Sequence, residues 1–230
     1  AVFGRPAGCP ITDDTPLRPV EAYGRAKLAG EERVAAAARA GLACAIVRPR
    51  TLVGVGRLGI FQILYEWIRE GRRVWVIGDG NAPFQLLHAG DLVDLLLRLA
   101  ERRLPGVYNV GAERFGTLRE DLGALIRHAG TAARVVGVPA GLAIPALRTL
   151  DWLRLSPLAP WHYLTYHTAF FFDISRAVRE LGWRPRYGNV EMLVESYDWF
   201  LAHPETAAGA RSAHRSAVPE RLLRVLRRLS

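Results

Sequence analysis

The chain has 230 residues, half of them hydrophobic, with glycine and proline at ordinary levels, and this excludes a disordered or fibrous chain in favour of a globular one with a sizeable core. Its formal net charge of +9 comes almost wholly from arginine, and Lys27 is the only lysine. No apolar run is long enough to span a bilayer, and Cys9 and Cys44 give neither a disulfide framework nor a metal-ligand spacing, so a cytoplasmic address is expected.

The chain opens on Ala1 without a methionine, and residues 1–4 read as the end of a buried strand, so the sequence is expected to be a piece of something longer. A loop over residues 5–19 follows, carrying Pro6, Pro10, Pro16 and Pro19 and the turn-prone Asp13 and Asp14. An alanine-rich helix is predicted over residues 20–40, with Gly41 as its stop. Near its start stand Tyr23 and Lys27. Four residues apart on a helix, they share one face a turn apart, so the ammonium can approach the phenol oxygen and favour its ionised form, lowering a pKa that is otherwise about 10. A tyrosine held that way is a general base. Tyr-x-x-x-Lys also arises by chance as a surface pair, so its neighbours decide.

Residues 42–47 have the length of a fully buried strand, ended by Arg48 and Pro49. A helix over 60–70, a strand over 74–77, the turn Gly78-Asp79-Gly80-Asn81 and a short strand over 84–88 come next. Asp91 opens a leucine-rich helix to about residue 103, residues 107–110 form a strand, and Thr117 with Glu120 makes a capping box for a helix ending near Ala129. This alternation predicts a parallel sheet layered by helices. A strand over 135–138, a helix interrupted by proline to about residue 155 and an aromatic stretch over 157–172 follow. Residues 173–183 read as a short helix stopped by Gly182, and Asn189 as the cap of a last helix to residue 203. Residues 204–216 read as linker, and 219–230 as a basic amphipathic helix with Leu222, Leu223, Leu226 and Leu229 on one face.

Several stretches together resemble the extended short-chain dehydrogenase/reductase family, its nucleotide-sugar epimerase and dehydratase branch in particular. They are Val2-Phe3-Gly4, Pro19-x-x-x-Tyr23-x-x-x-Lys27, Val47-Arg48-Pro49, Gly78-Asp79-Gly80, His88-x-x-Asp91, Tyr108-Asn109-Val110-Gly111 and Leu181-Gly182-Trp183-x-Pro185, in the family's order. The resemblance implies an α/β fold: the C-terminal half of a Rossmann-type parallel sheet with a small mixed α/β substrate lobe. Residues 1–133 would form the partial Rossmann domain with interleaved lobe segments, 134–203 the C-terminal lobe, and 204–230 a linker and tail. It further implies NAD or NADP as cofactor. Tyr23 would take the proton of a substrate hydroxyl while hydride leaves the same carbon, Lys27 would assist it and bind the nicotinamide ribose, Pro49 would touch the nicotinamide end, and Thr51 would face the substrate.

The family's Gly-rich phosphate turn and its catalytic Ser or Thr have no counterpart within these residues. Where many of its members carry an arginine and an aspartate after the Gly78–Gly80 turn, this chain has Phe84 and Gln85, so Phe84 is a second candidate substrate contact and an apolar, sterol-like alcohol or ketone becomes the alternative substrate. A third reading is a non-catalytic protein that keeps the fold for binding. The resemblance also implies a homodimer through the Tyr23 helix. Nucleic acid is not the expected partner; membrane contact through the basic tail is open but less favoured than docking on protein. His88 is expected to be structural, His162 and His167 form no metal set, and Trp152, Trp161, Tyr163 and Tyr166 are expected to pack the smaller lobe.

Overall fold

Where the strands fall in the computed structural model follows from which apolar runs are short enough to be covered on both faces. The structure describes residues 1–59, 61–153, 163 and 165–204; the predicted tail helix, Trp161 and His162 lie outside them. The elements are α1 (Ala22–Arg39), β1 (Ala45–Pro49), β2 (Thr51–Val53), α2 (Phe61–Arg69), β3 (Arg73–Ile77), β4 (Leu86–His88), α3 (Ala89–Arg102), β5 (Gly106–Val110), α4 (Leu118–Ala129), β6 (Arg134–Val138), α5 (Ala140–Trp152), α6 (Ser175–Leu181) and α7 (Asn189–Ala202). The fold is α/β with parallel strands, as expected. Among the described residues no helix is long and apolar enough to cross a membrane.

The chain divides into two units that interleave in sequence. The first comprises Ala1–Leu52, Pro83–Phe115 and Ala169–Asn189. In it β1 runs parallel to β5, with Ala45 opposite Gly106 and Pro49 opposite Val110, and β2 pairs with β4. One core of this unit gathers Leu87, Leu95, Leu99, Tyr108, Leu181 and Trp183; another gathers Val2, Phe3, Ile11, Phe170 and Phe172. Residues 1–4 are buried at Val2 and Phe3 but are not a strand. The Gly4 N–H bonds back to the Ala1 carbonyl at 3.3 Å and Gly4 takes a φ of +57°, which closes a turn.

Two stretches of the resemblance meet in a structural knot. Asp91, 1% exposed, accepts the backbone N–H groups of Arg186 and Tyr187 at 3.1 and 3.2 Å, while the indole N–H of the fully buried Trp183 donates to the Asp91 carbonyl at 3.0 Å. His88 caps α3 by accepting from the Gly90 N–H at 3.2 Å, and its ring stacks on Tyr187 at 3.8 Å. His88-x-x-Asp91 thus ties the start of α3 to the segment after α6, with Gly182 ending α6 in the left-handed conformation.

The second unit comprises Val53–Ala82, Gly116–Thr168 and Val190–Ser230. Here β3 runs parallel to β6, Arg73 opposite Arg134 and Ile77 opposite Val138. The Thr117/Glu120 capping box forms as predicted: the Glu120 N–H donates to Thr117 Oγ1 at 3.2 Å and the Thr117 N–H to Glu120 Oε2 at 2.8 Å. The Thr117 N–H, and after it the Thr117 side chain, favours the charged form and holds the Glu120 carboxyl below its usual range. The core of this unit is aromatic, with Tyr65 against Tyr197 and Phe200 at ring separations of 5.5 and 5.8 Å.

Candidate active site

An alanine-rich helix with one small residue at its point of contact can lie close against a neighbouring backbone, and this is how α1 is seated. Gly24 is its single buried residue, and a Cβ there would come within 2.8 Å of the Ala1 carbonyl oxygen and 2.9 Å of Pro19 Cβ. The close approach fixes the front of the helix, where Tyr23 stands 42% exposed and Lys27 is also exposed. The Lys27 ammonium lies over the Tyr23 ring, 5.4 Å from its centroid. The shared face expected from the spacing is therefore present, with the cation over the ring's negative face.

One turn further along α1, Glu31 meets Arg48 of β1. Arg48 Nη2 donates to Glu31 Oε2 at 2.6 Å, and Nε to Oε1 at 3.0 Å and to Oε2 at 3.1 Å. The two side chains are only 10% and 15% exposed, and the guanidinium also lies over Phe3 at 5.1 Å. This fork ties the helix bearing Tyr23 to the strand ending at Pro49, which is exposed, and precedes Thr51, which is half-buried in β2. Sequence reasoning passed over the pair, although Glu31 follows Lys27 at the interval by which Lys27 follows Tyr23.

Phe84 lies elsewhere in this unit. It is 1% exposed, bridges Phe170 as an isolated parallel pair, and faces the buried Arg50, whose guanidinium sits 5.2, 4.4 and 5.5 Å from the rings of Phe84, Phe170 and Phe172. Arg50 Nε donates to the Gln85 carbonyl at 3.0 Å. Gln85 is a tie as well: Nε2 donates to the Ala112 carbonyl at 2.7 Å, and Oε1 accepts the Phe172 N–H at 2.9 Å. A Cβ at Gly111 would overlap the Gln85 carboxamide, which is why glycine ends Tyr108-Asn109-Val110-Gly111. The two residues that stand in place of the family's arginine and aspartate thus form core, and their side chains offer almost no surface to a ligand.

Asn189 likewise turns its side chain to the strand: Nδ2 donates to the Phe84 carbonyl at 2.6 Å and Oδ1 accepts the Leu86 N–H at 3.0 Å. It is the first residue of α7 rather than the residue before it. Cys9 and Cys44 are free thiols, and among the described residues no group of three or more His, Cys, Asp or Glu side chains gathers as a metal site.

The chemistry available at this end of the molecule suits the nicotinamide end of a dinucleotide. It presents an exposed ammonium, an exposed phenol and an uncovered strand end at Pro49.

Residues 1–111 match the model of the NAD dependent epimerase/dehydratase family. The uncharacterized protein y4nG of Sinorhizobium fredii is 43% identical over 228 residues, which are 98% of this chain and 58% of that protein. A probable UDP-arabinose 4-epimerase of Arabidopsis thaliana is 25% identical over 239 residues, 91% of this chain and 52% of that protein. The chain therefore spans little more than half the length of these relatives. The crystal structure of UDP-glucuronic acid 4-epimerase from Bacillus cereus in complex with NAD superposes with a TM-score of 0.68 at 18% identity, over 87% of this chain and 58% of that one, a likeness of fold.

Proposed function

Residues 1–111 belong to the NAD dependent epimerase/dehydratase family, and from that premise we propose that the protein is an NAD(P)-dependent enzyme of epimerase or dehydratase type, in which Tyr23 moves the proton. The observation that carries the reading is the pairing of two exposed groups at the head of α1, the Tyr23 phenol and the Lys27 ammonium 5.4 Å from its ring. Tyr23, with the Lys27 cation over its ring, accepts the proton of a substrate hydroxyl. The nicotinamide cofactor, when bound, supplies the hydride acceptor and returns the hydride. Lys27 and Pro49 would hold its nicotinamide end, the first by hydrogen bonds from its ammonium and the second by apolar contact.

Thr51 is the residue we assign to the substrate. Phe84, 1% exposed against the Arg50 guanidinium, is assigned to the core rather than to the ligand. With Phe84 and Gln85 in the core, they no longer argue for an apolar alcohol, and a nucleotide sugar of the kind named for the relatives is the substrate class we assign. We assign the homodimer contact to α1, on the exposed residues that lie away from Gly24, Leu28 and Glu31.

The test is direct. Full-length protein is incubated with NAD or NADP and a panel of UDP- and dTDP-sugars, and the products are resolved by chromatography. The reading predicts inversion or dehydration of at least one sugar; conversion of none of the panel, with a folded and cofactor-loaded protein, overturns it.

A further inference from the structure

Tyr23, Lys27 and Glu31 follow one another at intervals of four on α1, so they leave the same face of the helix a turn apart. The third of them carries the wrong charge for the proposed chemistry. A carboxylate one turn from Lys27 competes for its ammonium and opposes loss of the phenol proton. The fork from Arg48 answers that charge with three hydrogen bonds of 2.6 to 3.1 Å, at 10% and 15% exposure, and Phe3 closes over the guanidinium at 5.1 Å.

We infer that Arg48 is a positioning residue for Tyr23: it neutralises Glu31, so that Lys27 stays available to the phenol, and it pins α1 to the strand that ends at Pro49. This rests on the reading of Tyr23 as the proton acceptor. The first test therefore needs no turnover. In full-length protein the tyrosinate absorbance is followed against pH, and the signal of Tyr23 is taken as the difference from Tyr23→Phe in each background.

Arg48→Met is expected to move the Tyr23 midpoint up by about half a pH unit, the effect of one unpaired charge some two helical turns away. Glu31→Gln moves it down, and the double variant Glu31→Gln/Arg48→Met returns it to the starting value. The acid limb of the pH–rate profile follows the same order, with roughly a threefold rate loss below the midpoint for Arg48→Met alone. If Arg48→Met does not fold, Glu31→Gln and Arg48→Lys still decide, the latter keeping the midpoint in place. Equal midpoints in wild type, Glu31→Gln and Arg48→Met overturn the inference, as does an equal shift in the single and double Arg48 variants. Midpoints that move as expected in a protein that turns over no substrate leave the charge compensation standing and refute the assigned catalysis instead.

Discussion

Replacing Gln85 by leucine removes a side chain that satisfies two buried backbone groups at once. The Phe172 N–H, donating to Oε1 at 2.9 Å, and the Ala112 carbonyl, accepting from Nε2 at 2.7 Å, both lose their partner, and Gln85 is only 1% exposed, so water does not take its place. Each buried group left unmatched costs about 1–3 kcal/mol, and leucine offsets part of this because no carboxamide has to be desolvated. A net loss of about 2–4 kcal/mol follows, roughly 5–15 °C in the thermal midpoint for a chain of this size. Gln85→Glu sharpens the test. Its carboxylate accepts the Phe172 N–H but cannot donate to the Ala112 carbonyl until protonated, so the folded state raises its pKa above the unfolded value of about 4.3. That variant's stability is fully present below the unfolded pKa and is lost as pH rises through the folded one. Urea unfolding followed by circular dichroism reads both variants. A loss within about 0.5 kcal/mol for Gln85→Leu, the size of a surface substitution, refutes the assignment of Gln85 as a core tie.

Three further outcomes follow from the same contacts. Thr117→Ala removes the side-chain cap of α4 and costs about 1 kcal/mol in urea unfolding, while the backbone N–H at 117 still donates to Glu120, so the stability that is lost as pH falls through the depressed Glu120 pKa is largely kept in the variant. Gly24→Ala drives a methyl against the Ala1 carbonyl and Pro19, costing about 1–3 kcal/mol and lowering turnover, since Tyr23 is the adjacent residue; wild-type stability and rate would refute the close seating of α1. Burial, and then a 2.9 Å hydrogen bond to Glu180, push the Tyr108 hydroxyl up to about 12. Its contribution is present below the unfolded value of about 10 and lost as pH rises through about 12, so Tyr108→Phe has a flatter alkaline stability profile as well as a loss of about 1 kcal/mol.

Local signals in the sequence were legible because their physics is local. Thr117 and Glu120 stand three apart and complete each other's backbone bonds, and Gly182 ends α6 because only glycine enters the left-handed region without strain. The Tyr23/Lys27 face followed from helical geometry alone. What could not be read was burial set by distant partners. Phe84 and Gln85 stood where the family resemblance implies ligand contacts, yet their surroundings come from Phe170, Phe172 and Ala112. The capping role expected for Asn189 gave way to a bridge to β4, more than a hundred residues away in sequence. Residues 1–4 have strand-forming composition, but the positive φ of Gly4 closes a turn. Glu31 and Arg48, seventeen residues apart, are joined only by the packing of α1 on β1.

The most direct measurement is the rate of full-length Tyr23→Phe with the sugar nucleotide that wild type converts, together with its NAD affinity. Removing the phenol oxygen while keeping the ring over which Lys27 lies is predicted to abolish turnover and leave NAD binding within a few-fold of wild type. Turnover at the wild-type rate would contradict the assignment of Tyr23 as the group that moves the proton.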